Sequence, residues 1–578
     1  MDALAGEASV LGGDDTEERR GSEHDAADAG RDAPAPPATD RRLLVAVLLA
    51  VNVPIMVAVT RALAHGWQPL GDNGVLVVRV RDVGTSHHPL LGSWTSASLA
   101  LGRNVNNPGP LYFDAVAPAV KLLGPWVGAA IGVALINMAA SSLAVVVGRR
   151  INGTPSMIGV AVGVVGLQWA LGSELLFDTW QPNALVLPFF AFLVLVAVLA
   201  TGDVAMAPWV VGLGSFVVQT HMSHVVLVGA LTAGAALACW WTLRRRADGG
   251  GSVRWRRPLV WTALVAVLAW TQPLIEQFTG SGEGNLSRIA GAARAGGEPI
   301  GWRAATRLVA EITAVGPWFT RDAYAGAVPE TAPGQPVTGI IGTATAAVVV
   351  AALLLALIVL GVWAALTGRR PLATMIGVAV VALGGAVVAV ATSPRSAVGL
   401  ASHQMRWLWP VAAFATAAAV TALVSAATSR SANQVVPVVV GTVVVVAVAV
   451  ANLPGHRSAS RGPVEMANSL QAAQDLTSNL GSLEGRGTIL YDGSTLTFGE
   501  PYSGLTFAEM QDHAIPFVFE DEGWIRQFGE GRRHDGSADL RMWQVEGAGA
   551  LDTPPGARRV GLAEGPSGPV AIFVEPID

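Results

Sequence analysis

RRLLVAVLLAVNVPIMVAVTRALAHGWQPLGDNG, residues 41–74, decides how this chain must be read. From Leu43 to Ala64 it is apolar for long enough to cross about 30 Å of hydrocarbon as a helix. It opens on the pair Arg41-Arg42 and closes a few residues before Asp72 and Asn73. Arginines gather on the cytoplasmic side of membrane helices, so the pair lies inside and Gly71 onward lies outside. A first span of this polarity fixes the side of every later loop.

The same pattern recurs along the chain. Of 578 residues 52% are hydrophobic, and the mean hydropathy of +0.48 excludes an ordinary soluble protein. Counting outward, apolar spans run near 126–147, 156–171, 184–200, 209–219, 224–243, 259–275, 340–366, 372–390, 407–430 and 435–450, about eleven in all. Arginines mark alternate ends: Arg149-Arg150, then six between Arg244 and Arg257, then Arg369-Arg370 and Arg430. The expected architecture is a polytopic α-helical membrane protein, N-terminus cytoplasmic and C-terminus extracytoplasmic. Residues 1 to 40, acidic and poor in large apolar side chains, are expected to be a disordered cytoplasmic tail. Residues 41 to 453 form the transmembrane domain, with a juxtamembrane helix at Pro110 to Leu123. Residues 454 to 578 have the composition of a small extracytoplasmic α/β or α+β domain, with a helix at Val464 to Leu480 and strands near Thr488, Phe517, Leu540 and Val570.

Other features mainly exclude. Cys239 is the only cysteine and sits in an apolar run, so neither a disulfide framework nor a thiol metal site is expected. The net charge of -5 sums an acidic tail, basic short loops and a mixed C-terminal segment, and points to no nucleic-acid partner. No nucleotide loop or nucleophile elbow occurs in the C-terminal domain. Lys121 is the only lysine against many arginines, a bias of GC-rich bacterial genomes and of an actinobacterial type. No cofactor is expected. A divalent cation is possible but nothing indicates one.

The topology sorts the polar residues to one face. Asp72, Asp82, His87, His88, Asn106, Asn107, Asp178, His221, His224, Arg395, His403 and Arg406 all fall on extracytoplasmic segments. A transporter would carry its ionisable residues near the bilayer midplane, whereas an enzyme acting on a lipid head group needs them at the interface. Each residue also has a structural reading. Asp72 suits a helix cap, Asp82 could pair with Arg79 or Arg81, and His87-His88 could shape a turn. His221 and His224 share one helical face and could bond each other, while Arg406 beside Trp407 and Trp409 could anchor at the interface.

The stretch from Gly71 to Phe113 carries a resemblance. Asp72 just past the first span, Arg81-Asp82-Val83, His88-Pro89-Leu90-Leu91-Gly92 and Pro108-Gly109-Pro110-Leu111-Tyr112-Phe113 resemble the first extracytoplasmic loop of the GT-C membrane glycosyltransferases. The likeness is to the protein O-mannosyltransferase and lipid A aminoarabinose transferase branch. Asp178 with Asn183 to Phe190 and Arg406-Trp407-Leu408-Trp409-Pro410 are similar to later motifs of that superfamily. Asn73 stands where many relatives have a second acid, and Asn107 where the aminoarabinose branch has a lysine.

The resemblance implies transfer of a sugar from a polyprenyl-phosphate donor, with inversion, to an envelope glycan, lipid or protein. Mannose or arabinose would suit the composition. A carboxylate then takes the acceptor's proton, Asp72 first and Asp178 second. Arg406, His403 and Arg395 meet the donor phosphate. Asp82, His87, His88, Asn107, Tyr112 and His221 line the substrates. The alternatives are a transporter or flippase of a lipid-linked glycan, which predicts repeats and mid-span charges, and a non-catalytic scaffold in envelope assembly.

Overall fold

The computed structural model describes residues 38–248, 255–280, 282–295, 298–315, 342–395, 400, 402–431, 435–453, 464–497 and 499–577. Nearly all of the expected tail, and the loop from 316 to 341, lie outside the described residues. Residues Val47–Asp578 form one compact unit, and the residues before it contribute the first turns of the helix Ala38–Ala64.

Among the described residues nine helices are long and apolar enough to cross a membrane: Arg41–Ala64, Pro125–Asn152, Thr154–Leu171, Gln181–Ala200, Met222–Asp248, Arg256–Thr279, Thr343–Leu366, Arg370–Thr392 and Leu408–Arg430. Val204–Thr220 and Val435–Ala451, which the sequence reading counts as spans, are apolar but shorter. The segment Val186–Ala200 is hydrophobic around its whole circumference, which suits a helix surrounded by protein or by hydrocarbon. It is the centre of the bundle, with every residue buried, and packs against Pro125–Asn152, Ala207–Thr220, Val225–Asp248 and Leu408–Arg430.

The arginines collect at one end. Arg150 pairs with Asp203 at 2.8 Å, Arg246 donates to the Thr201 carbonyl at 3.3 Å, and Arg369 donates to Ser429 at 2.9 Å. Helices that finish there begin at the other end, beside Trp126 and Arg406. That opposite end carries the C-terminal lobe.

The lobe holds a five-stranded sheet in the order β2-β1-β3-β5-β4. β1 (Ile489–Asp492) runs parallel to β2 (Phe517–Val518) and β3 (Leu540–Glu546), while β5 (Gly568–Pro576) is antiparallel to β3 and to β4 (Arg558–Gly565). The helix Ser503–Asp512 connects β1 to β2. Its first N–H groups, which in such a βαβ unit could receive a phosphate, are taken by Glu500, whose carboxylate accepts from Tyr502 N at 2.7 Å and Ser503 N at 3.1 Å.

One short helix, Asp72–Asp82, joins the two regions. Leu70, Val75 and Val78 enter the hydrophobic core of the lobe. Leu76, Val77 and Val80 pack on Tyr112, Phe113 and Val116 of the juxtamembrane helix Leu111–Leu123. Its apolar residues face both ways because the helix is walled on both sides. The contact on the lobe side is backbone to backbone. Gly71 N donates to the Pro501 carbonyl at 2.9 Å, and a Cβ on Gly504 would lie 1.9 Å from the Gly71 oxygen. Gly71 itself has φ +52, a left-handed conformation open to glycine.

Candidate active site

The site assembles on the loop between Leu171 and Gln181, which the surrounding helices hold from several sides. Asn137 donates to the Leu176 carbonyl at 2.8 Å, Tyr112 Oη to the Thr179 carbonyl at 2.5 Å, and Gln181 to Ser93 at 2.8 Å. Asp178 at the centre of this loop is buried. Its carboxylate accepts from Asn73 Nδ2 at 2.5 Å, from Trp180 N at 3.3 Å and from Asn183 Nδ2. Burial raises its pKa above the ordinary aspartate value, against the pull of those donors and of the Arg406 charge.

Asp72 opens the helix that Asn73 continues, so the Asn73–Asp178 bond draws the two carboxyls together. The Trp180 indole donates to Asp72. Asp72 keeps more than a third of its surface exposed, yet protein crowds it closely enough that desolvation raises its pKa, and Glu500 and Asp178 raise it further. The two acids therefore differ in kind. Asp178 is enclosed and multiply bonded, whereas Asp72 has an accessible face.

Trp180 is the hub. Its ring lies 5.0 Å from the Arg406 guanidinium and 5.0 Å from the His403 ring. Arg406 is buried, and a guanidinium over an indole face keeps its plane and fork fixed. Burial, with His221 and Arg406 nearby, pulls His403 down to about 3, so it acts as a neutral imidazole. His221 bonds Ser223 at 2.7 Å and lies edge-on to His224, with ring centroids 6.0 Å apart.

The oxygens of Asn73 and Asn183 point away from Asp178, because both amides turn their NH₂ groups toward it. These two oxygens and the Thr179 hydroxyl are buried with no hydrogen-bond partner among the described residues. A buried polar atom left unbonded costs about 1–3 kcal/mol. Three such atoms lie around one carboxylate, all of them enclosed by protein.

Other residues expected at the site are engaged by partners within the protein. Asp82 is fully enclosed by Arg79 at 2.9 Å, Arg532 at 2.8 Å and Gln511 at 2.8 Å, the last two from the lobe. His87 packs against Gly531 and gives its carbonyl to Arg79 at 3.3 Å, and His88 bonds Gln272 at 3.0 Å. Asn107 accepts from Met222 N at 2.9 Å and donates to the Ser93 carbonyl at 3.3 Å. Arg395 turns to Glu298, 3.9 Å away. Among the described residues no group of three or more His, Cys, Asp or Glu side chains could hold a metal ion.

Sequence reasoning missed Trp180 as a member of this cluster. The signal was its place between Asp178 and Pro182, but its role depends on Arg406 folding back over it. It also missed Asn285, which lies in a glycosylation-like Asn-Leu-Ser triplet. Asn285 is fully buried, exchanging bonds with Asn106 at 3.0 Å and accepting from Arg526 at 3.3 Å.

No protein-family model matches this chain, and no curated protein does. Two solved structures of ArnT from Cupriavidus metallidurans are similar to it. One, bound to undecaprenyl phosphate, is 13% identical with a TM-score of 0.43, covering 91% of this chain and 97% of the other. The second, in the apo state, is 14% identical with a TM-score of 0.37 and the same coverage. The reading of the site rests on its own residues.

Proposed function

We propose that this protein is an integral membrane glycosyltransferase that moves a sugar from a polyprenyl-phosphate donor to a hydroxyl of an envelope glycan, lipid or protein, on the extracytoplasmic face and with inversion. The observation that carries the reading is the convergence of Asp72, Asp178, His403 and Arg406 on Trp180, at the end of the bundle opposite the arginines. These groups come from three segments that together span more than 300 residues of the chain.

The residues divide the chemistry. The acceptor hydroxyl attacks the anomeric carbon from one side while the bond to the lipid phosphate breaks on the other, so a single displacement inverts the centre. Asp72, accessible and with lone pairs to spare beyond the Trp180 bond, takes the hydroxyl proton. Arg406 meets the charge that develops on the departing phosphate. Asp178, held by Asn73 and Asn183, stands beside Asp72 as the second acid of the site.

Two outcomes follow. Arg406→Gln should lower kcat/KM for the lipid-phosphate donor by roughly 10- to 100-fold, the loss of one charged hydrogen bond. An unchanged value in membranes supplied with polyprenyl-phosphate sugar would remove the phosphate role. The same change at Arg395 tests whether that guanidinium shares it.

The second concerns pH. Asp72 must be ionised to accept a proton, and its pKa is raised, so transfer should fall as pH drops through a range above the ordinary aspartate value. A pH profile of kcat/KM that stays flat down to about pH 4 would rule out Asp72 as the base.

A further inference from the structure

Running inward from the arginine-rich end, a groove of about 680 Å³ opens between the helices Pro125–Asn152, Ala207–Thr220 and Arg256–Thr279. This volume lies in the range of small-molecule sites. Leu143, Leu213, Phe216 and Val265 form its apolar walls, with Trp209 and Trp261 at its edges. Both tryptophans are more than half exposed, at 55% and 53%. The helix Arg256–Thr279 has only 6% of its apolar window buried inside the protein. The groove therefore opens sideways, toward the hydrocarbon in which these helices sit.

Its polarity is one-ended. Arg257 is the only charged residue that lines it, and it is exposed with no ion pair among the described residues. Asp203, two residues before the lining residue Ala205, is held by Arg150. An apolar slot with tryptophans at its rim and a cation at the end where other arginines gather matches a molecule with a hydrocarbon chain and an anionic head.

We infer that this groove binds an anionic phospholipid of the leaflet at the arginine-rich end, its acyl chain between Leu213 and Val265 and its phosphate on Arg257. The site is separate from the sugar-transfer site and does not depend on that reading. At its deep end the lining residue Phe216 meets the ring of Tyr112 at 6.4 Å, so an occupied groove braces the residue that holds the Thr179 carbonyl.

The test is native mass spectrometry of the full-length protein in detergent, equilibrated with equal amounts of phosphatidylglycerol and phosphatidylcholine bearing the same acyl chains. Wild type should retain phosphatidylglycerol in preference by about fivefold, the effect of one arginine at an anionic surface. Arg257→Gln should erase that preference and Arg257→Lys should keep it. Arg430→Gln, at the same end but outside the groove, should leave it unchanged. Ala205→Trp, at an exposed position in the lining, should reduce retention of both lipids. Equal retention of the two lipids by wild type, or undiminished preference in Arg257→Gln, overturns the proposal.

Discussion

Asp72→Asn is expected to reduce sugar transfer by about 10²- to 10⁴-fold, the span attributed to a positioned general base, while leaving the fold intact. The substitution keeps side-chain volume, and an asparagine oxygen can still accept from the Trp180 indole that bonds Asp72. What it removes is the capacity to take a proton. No neighbour is placed to substitute. Asp178 is saturated by Asn73, Trp180 and Asn183, and Glu500 is committed to Tyr502 N, Ser503 N and Gln544. The measurement is turnover in membranes with a polyprenyl-phosphate sugar, paired with thermal unfolding of the purified protein. Full turnover at unchanged stability would sink the assignment of the base.

Asp82→Ala should act in the opposite way, through stability. Arg79 and Arg532 are each about 5% exposed and share this one carboxylate. Burial already lowers Arg79 to about 10 with Asp82 in place. Removing one partner from a buried charge cluster costs about 3–5 kcal/mol, and here the loss falls on the junction between the helix Asp72–Asp82 and the lobe. Limited proteolysis should release the lobe from the variant at temperatures where wild type resists. The exposed pair Arg81–Asp512, at 2.9 Å, supplies the contrast, since Arg81→Ala should cost about 0–1 kcal/mol. Equal resistance of Asp82→Ala and wild type would show that the apolar and glycine contacts alone hold the junction.

The bundle was legible because membrane crossing imposes a length and a polarity that one sequence displays directly. Nine of the eleven spans read from it are helices of full crossing length, and the polar break at Gln219 to His224 falls where the helix Ala207–Thr220 ends. Following the arginines also brought Asp72, Asp178, His403 and Arg406 to one end, which pairwise motif reading could not do. The pairing of Asp82 with Arg79 was legible, but the distant partners of Asp82, His87 and Asn107 were not. Those partners, Arg532, Gly531 and Met222, lie more than a hundred residues downstream, and one sequence does not show which distant segment folds back. β4 was missed for a local reason. Its sequence, Arg-Arg-Val-Gly-Leu-Ala-Glu-Gly, belongs to a bulged edge strand whose exposed positions hide the apolar alternation.

The approach of Gly504 to Gly71 sets an order of events in making the molecule. The helix that bears Asp72 is synthesised more than 400 residues before Pro501 and Gly504 of its second wall. Until Pro501 and Gly504 have been synthesised and have reached the same side of the bilayer, Gly71 has no acceptor for its N–H and the lobe-facing valines have nothing to cover them. A bundle with every span inserted is thus still unfinished, and the helix that carries Asp72 gains its second wall only when the lobe has folded against it.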